Sequence, residues 1–265
     1  MPTITKHAQG TFSWPELGVP NQAAAKKFYS AVFGWGVKDY PMPPEAGGGA
    51  YTIFQVDGKD VCACYHLSPD MQSQGMPANW GAYVTVDNAD AAVKKCEALG
   101  GKLLMGPMDV MGTLGRMAVL QDPTGATFSV WQAGDHIGAQ VLDEAGALIW
   151  TELMTSDTAK CASFYTQLLG YTTQVMPMED SHYTIFVCPD GKRAAGMMAF
   201  PPNMTNVPPN WTSYFGTKDI RATVAKIEQA GGKVCMPVTP IPGVGEFAVV
   251  QDDQNAVFAL LQPSM

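Results

Sequence analysis

The chain repeats itself. Trp14-Pro15-Glu16-Leu17 returns as Trp150-Thr151-Glu152-Leu153, Phe28-Tyr29 as Phe164-Tyr165, Asn79-Trp80 as Asn210-Trp211, and Gln121-Asp122 as Gln251-Asp252, always in the same order. The spacing between the copies shrinks by only a few residues along the chain, which loops can absorb. A chain of 265 residues built this way is expected to form two similar units rather than one large core. The polar, Gly-containing stretch 134–146 is the natural linker between a first unit, 1–133, and a second, 147–265.

Each unit doubles again internally. Thr11 to Val19 alternates in period two and reads as a strand, with Pro15 suggesting an edge position. Asn21 is placed to cap a helix carrying Ala24, Phe28 and Val32 on one face, and Gly34 stops it. After the Gly47-Gly48-Gly49 region, Tyr51 to Val56 and Val61 to His66 flank the hairpin signal Asp57-Gly58, with room for a further strand before Tyr51. The same order resumes with a strand from Asn79, a helix from Asn88 to Leu99, and strands around Leu103, Met117 and Phe128. That makes two β-α-β-β-β motifs per half.

Composition narrows the partners. With 46% hydrophobic and 15% charged residues the chain can bury a core, and a net charge of −8 opposes binding to nucleic acid or anionic lipid. No leading segment resembles a signal peptide and no run is long and apolar enough to span a bilayer, so a cytoplasmic monomer or homodimer with no membrane or nucleic-acid partner is expected. The six cysteines have no counterparts between the copies, which argues for reduced, mostly buried thiols.

Four such motifs, with Phe-Tyr in the first helix of each half and Asp-Pro-Thr-Gly before the final strand of the first half, resemble the vicinal oxygen chelate superfamily of glyoxalases, bleomycin resistance proteins and extradiol dioxygenases. The chain is similar to that family's two-module glyoxalase-like subgroup, typified by a mycobacterial antigen, in Ala24 to Tyr29, in Phe33-Gly34-Trp35-Gly36 and in Trp-x-Glu-Leu. The resemblance implies an α+β fold of four βαβββ motifs in two paired modules, with curved mixed sheets forming cups and helices outside. It also implies a divalent metal chelated in the cup by His and Glu. The matching positions here are Trp14 or Trp150, Gly81 or Thr212, and Ser129 or Ala259, none of them His or Glu. The remaining position lies around Cys62 to His66, or around Ala195 to Ala199, which has no strong ligand. The expectation is a cup with no metal ligands and no cofactor, in which a divalent metal could bind only through displaced ligands.

The candidate site residues follow from strand alternation. Glu16 and Glu152 stand two residues beyond Trp14 and Trp150, on the same strand face, where each is either a general base or substrate-orienting carboxylate, or a structural hydrogen-bond acceptor. Trp14, Tyr83, Trp131, Trp150 and Tyr214 are candidates to line a cup for a flat ligand, although strand aromatics are also core formers. His66, alternating with Cys62 and Cys64, is the candidate for proton transfer in the first half. The resulting expectation is a protein that binds a small apolar or aromatic molecule. The alternative is an enzyme of glyoxalase-like lyase or isomerase type, or of dioxygenase type, using Glu or His acid–base chemistry or displaced metal ligands.

Overall fold

The structure, a computed structural model, describes residues 3–42, 49–178, 181–201, 204 and 207–264; Gly47 and Gly48 of the Gly-rich stretch lie outside them. The first half runs β1 (Phe12–Val19), α1 (Gln22–Phe33), β2 (Gly36–Pro41), β3 (Ala50–Val56), β4 (Lys59–His66), a short α2 (Pro69–Ser73), β5 (Asn79–Thr85), α3 (Ala89–Ala98), β6 (Lys102–Val110), β7 (Gly115–Gln121) and β8 (Thr127–Ala133). The second runs β9 (Leu148–Thr155), α4 (Thr158–Leu169), β10 (Thr172–Pro177), β11 (His182–Val187), β12 (Arg193–Ala199), β13 (Asn210–Gly216), α5 (Ile220–Gln229), β14 (Lys233–Ile241), β15 (Gly245–Gln251) and β16 (Val257–Pro263).

Each half makes one eight-stranded mixed sheet, in the orders β2-β3-β4-β1-β5-β8-β7-β6 and β10-β11-β12-β9-β13-β16-β15-β14. The seam between the two motifs of a half is the antiparallel pair β1–β5, or β9–β13, flanked on each side by a parallel neighbour. Pro15 therefore sits in a central strand and not at the edge its side chain suggested. Pairing of β1 with β4 begins only at Glu16. Just before it, the linker takes the place of β4: Ala139 N–H donates to Ser13 O and Gln140 N–H to Asp60 O, each at 2.7 Å. Pro15 thus lies where the central strand is locally open, and a missing N–H is tolerated there.

The four longer helices start alike. Asn21, Asn88, Asp157 and Asp219 are extended in backbone, and each side-chain oxygen accepts from the N–H three residues on, satisfying a donor that the helix itself cannot. In α1 and α4 the chain leaves through Gly34 and Gly170 at φ 73° and 76°, a left-handed turn that glycine adopts without steric penalty. The buried face of α1 is Ala25, Phe28, Tyr29 and Val32; Ala24 is only partly covered.

The helices are outside the cups, as expected, and each keeps a solvent-exposed face while its apolar face packs between the two halves. The sheets stand back to back, with α1 next to α5 and α3 next to α4 between them. One core joins α3, Val84 and Phe128 of the first half to α4, Leu153 and Phe186 of the second. The other joins α1, Phe54 and Trp80 to α5, Phe215 and Phe258. The repeated Phe-Tyr and Gln-Asp pairs meet in these shared cores. Trp80 Nε1 donates to Tyr29 Oη at 3.0 Å, and Tyr29 donates across the halves to Asp252 Oδ2 at 2.9 Å. Reciprocally, Trp211 Nε1 donates to Tyr165 Oη at 2.9 Å, and Tyr165 donates to Asp122 Oδ2 at 3.0 Å. The other oxygen of each Asp, Oδ1, accepts backbone N–H groups of its own turn, so every buried polar atom in the relay has a partner. Cys62, Cys64, Cys96, Cys161 and Cys188 are buried free thiols, whereas Cys235 is exposed.

Candidate functional site

With the helix-bearing faces turned inward, the concave faces are left on opposite sides of the molecule. Alternation along β1 sends Leu17 into the shared core and Trp14 into a separate cluster on the concave face with Ile53, Ala63, Tyr83, Met117 and Trp131. Glu16 projects into this cup. Its Oε1 accepts from Tyr51 Oη at 2.6 Å and its Oε2 from Tyr83 Oη at 2.8 Å, while Trp14 Nε1 donates to Tyr51 Oη at 3.0 Å.

The second cup repeats the constellation. Glu152 Oε2 accepts from Tyr183 Oη and Oε1 from Tyr214 Oη, both at 2.8 Å, and Trp150 Nε1 donates to Tyr183 Oη at 2.8 Å. At the register position facing Glu152 on β12 stands Gly196, where a Cβ would collide with the Tyr183 hydroxyl; the first cup has Ala63 there. The tyrosines on β3 and β11 were not among the expected site residues. Their signal was available, since Tyr51-Thr52-Ile53-Phe54 recurs as Tyr183-Thr184-Ile185-Phe186.

Burial in an apolar cup disfavours the carboxylate and raises the pKa of Glu16, and the Tyr51 and Tyr83 hydroxyls only partly oppose this. Glu152 is raised for the same reason, against Tyr214 and Tyr183. The tyrosines next to these acids are pushed the other way from reactivity. Tyr51 and Tyr83 are held well above their usual pKa, first by burial and then by the Glu16 charge, so they act as donors. A carboxylate offers about four lone-pair sites and two are taken, which leaves about two for a donor on a bound molecule.

The cups are not identical. In the first, Trp14, Tyr83, Met117 and Trp131 are all buried; in the second, Trp150 and Phe247 are only partly so. The difference is the linker, which closes one end of the first cup. His136 stands edge-on to Trp14 with ring centroids 4.7 Å apart and to Trp131 at 6.0 Å, and its carbonyl accepts from Trp131 Nε1 at 2.8 Å. The linker's Ala139 lies within the cup's apolar cluster and binds His7 Nε2 through its carbonyl.

Other expected residues fall elsewhere. Cys62 and Cys64 do share a face, but it is the one packed on α1, and His66 shares it by alternation at the exposed end of β4. His66 is therefore on the opposite side of the sheet from Glu16. Among the methionines, Met117 lines the first cup, Met197 lies in the shared core, and Met105, Met108 and Met111 are exposed. Gly112 to Gly115 and Gly243 to Gly245 are hairpin turns. Two surface hollows of about 380 and 390 Å³, beside Pro242 and between Phe33 and Thr217, do not reach either Glu.

The chemistry common to the two cups is one carboxylate, two phenol hydroxyls and one indole N–H; the first adds the Tyr65 phenol, on the same face of β4 as Ala63. Among the described residues no three His, Cys, Asp or Glu side chains stand together as a metal-holding group. Glu16 already accepts two hydrogen bonds, and its strand neighbours at the expected ligand positions are Trp14 and Gly81. This donor set does not fit the chelate that the fold's resemblance implies.

Comparison with known proteins agrees with the architecture. "Putative glyoxylase CFP32" of Mycobacterium tuberculosis is 40% identical over 265 residues, covering 100% of this chain and 99% of that protein. The anthracycline biosynthesis protein DauV of a Streptomyces species is 36% identical over 273 residues, covering 98% and 95%. In fold, the chain is similar to an Mn(II)-bound glyoxalase from Novosphingobium aromaticivorans (TM-score 0.65, 15% identity, 95% and 82% of the two chains). It is similar also to the 2,3-dioxygenase LapB from Pseudomonas sp. KL28 (TM-score 0.64, 12% identity, 100% and 94%). The sequence profile of one family matches residues 11–130 and again 147–260, and the chain belongs to that family, the Glyoxalase/Bleomycin resistance protein/Dioxygenase superfamily.

Proposed function

We propose that the protein binds a flat aromatic small molecule in its cups, held by the tryptophan and tyrosine walls and by a hydroxyl donated to Glu16 or Glu152, without the family's metal chelate. The observation that carries this reading is the Trp–Tyr–Glu–Tyr constellation, built twice from the same strands at nearly the same distances. Aromatic walls supply stacking area, and a partly open carboxylate supplies direction. The relative DauV is named for anthracycline biosynthesis, which makes a hydroxyanthraquinone a fitting probe.

Titration with 1,4-dihydroxyanthraquinone, followed by tryptophan fluorescence, is expected to saturate, with the compound recovered unchanged. Glu16→Gln and Glu152→Gln should each weaken one site by about tenfold, the equivalent of one charge-assisted hydrogen bond. Absence of saturation overturns the reading.

A second reading, acid–base catalysis of the glyoxalase-like lyase or isomerase type, draws on the raised pKa of both glutamates. A carboxyl lifted toward neutrality is a better base than an ordinary one. If the probe is converted, and the Glu→Gln variants abolish conversion while retaining binding, this reading replaces the first.

A further inference from the structure

Among the described residues one buried side-chain polar atom lacks a hydrogen-bond partner, and it lies in the first cup. It is Nε2 of His136. The other ring nitrogen, Nδ1, accepts from the Gly138 backbone N–H at 3.3 Å, which places the proton of the neutral ring on Nε2. Burial favours this neutral form: it lowers the pKa of His136, as does nearby His7, against an opposing pull from Asp60. The ring is therefore a desolvated N–H donor. With Nδ1 turned back on the linker, Nε2 has no hydrogen-bond acceptor, the Asp60 carboxylate acting on the ring through its charge alone. Trp14 and Trp131 present only indoles, and the Trp131 N–H is already committed to the His136 carbonyl.

A buried donor without an acceptor is unfavourable and rare in folded proteins, and one set among cup-lining aromatics is suited to an acceptor that arrives with a ligand. We propose that His136 recognises a carbonyl or ether oxygen on a flat aromatic ligand in the first cup, so that the two cups differ in specificity. This rests on the reading of the cups as ligand sites and deepens it. In the first cup a ligand meets an acceptor, Glu16, and a donor, His136, contributed by separate parts of the chain. The second cup has Glu152 with its two tyrosines but no counterpart of His136, because the segment that carries His136 is the one that joins the halves.

The probe is again 1,4-dihydroxyanthraquinone, which carries both hydroxyl and carbonyl oxygens, and the sites are told apart with Trp14→Phe and Trp150→Phe. His136→Phe, which keeps the ring and removes the donor, is expected to weaken the first-cup site about tenfold and leave the second unchanged. His136→Gln, which retains an N–H, should recover part of the loss. A first-cup affinity unchanged by His136→Phe overturns the inference while leaving the cup reading intact. Absence of any binding by the unaltered protein overturns both. Independently of ligand, ¹⁵N spectra of the histidines should show His136 as the Nε2–H tautomer near neutral pH, and the Nδ1–H tautomer would sink the proposal.

Discussion

At the residue scale, Glu16 and Glu152 are acids kept in apolar surroundings by phenols. Raising a carboxyl's pKa in the folded state has a consequence for stability that can be worked out from its sign. The folded protein then binds the proton more tightly than the unfolded chain, whose glutamates titrate near 4.5. These two groups impose no penalty below that value, and stability falls as pH rises from it through the raised folded pKa. The loss amounts to about 1.4 kcal/mol for each tenfold difference in proton affinity. The variant Glu16→Gln/Glu152→Gln cannot titrate at these positions. Urea denaturation at a series of pH values should show the unaltered protein losing stability relative to the variant as pH rises above 4.5. Parallel curves would mean that neither carboxyl is perturbed. Much of this site was legible in the sequence: the Trp-x-Glu spacing put both side chains on one face, and that face is concave. His66 was misplaced because the apolar Cys62 and Cys64 satisfy a cup wall and a helix-packed core equally well, and strand alternation does not say which face is which. Tyr51 and Tyr183 were passed over although their four-residue context repeats, because an aromatic on a strand reads as packing until its hydroxyl has a partner. His136 had no signal at all, since a linker residue's place depends on where the chain crosses.

At the scale of elements, strands and helices follow from alternation and caps, and the two halves show how one contact can be written in opposite charges. Arg116 at the start of β7 makes a bidentate pair with Asp90 in the first turn of α3, through Nε and Nη2 at 2.7 and 3.0 Å. At the corresponding place Glu246 of β15 pairs with Arg221 of α5 at 2.7 and 2.8 Å. Sign is exchanged while geometry is kept, which argues that the contact joins helix to hairpin and is not itself a ligand site. Such exposed pairs contribute little and are screened by salt. Asp90→Ala should lower the denaturation free energy slightly, and less at high salt. The reversed pair Asp90→Arg/Arg116→Glu, which copies the arrangement of the other half, should recover the loss. Failure of the reversed pair to recover it would show that Arg116 is held by its second partner, Asp109, at 2.9 Å.

At the scale of the whole molecule, the two extended cores are shared between the halves, and each half keeps to itself only the smaller cluster in its cup. The apolar faces of α1 and α3 are buried in cores shared with α5 and α4, and either half alone would expose them. A chain ending at residue 133 is expected to aggregate or associate with itself. The two pieces 1–133 and 147–265 produced together should yield a one-to-one complex by size-exclusion chromatography and light scattering. A monomeric, cooperatively folding first half would refute this. The relay Trp80–Tyr29–Asp252 and its counterpart Trp211–Tyr165–Asp122 give the reason. Each half offers a helix tyrosine and receives one in an aspartate turn, so the joint is isologous: a half-turn of the molecule carries donor onto donor and acceptor onto acceptor. Such a joint could be made by two copies of one shorter chain without any change of design. The polypeptide is thus organised as a covalent pair of similar halves, and the single strap between them is the part that the half-turn does not repeat.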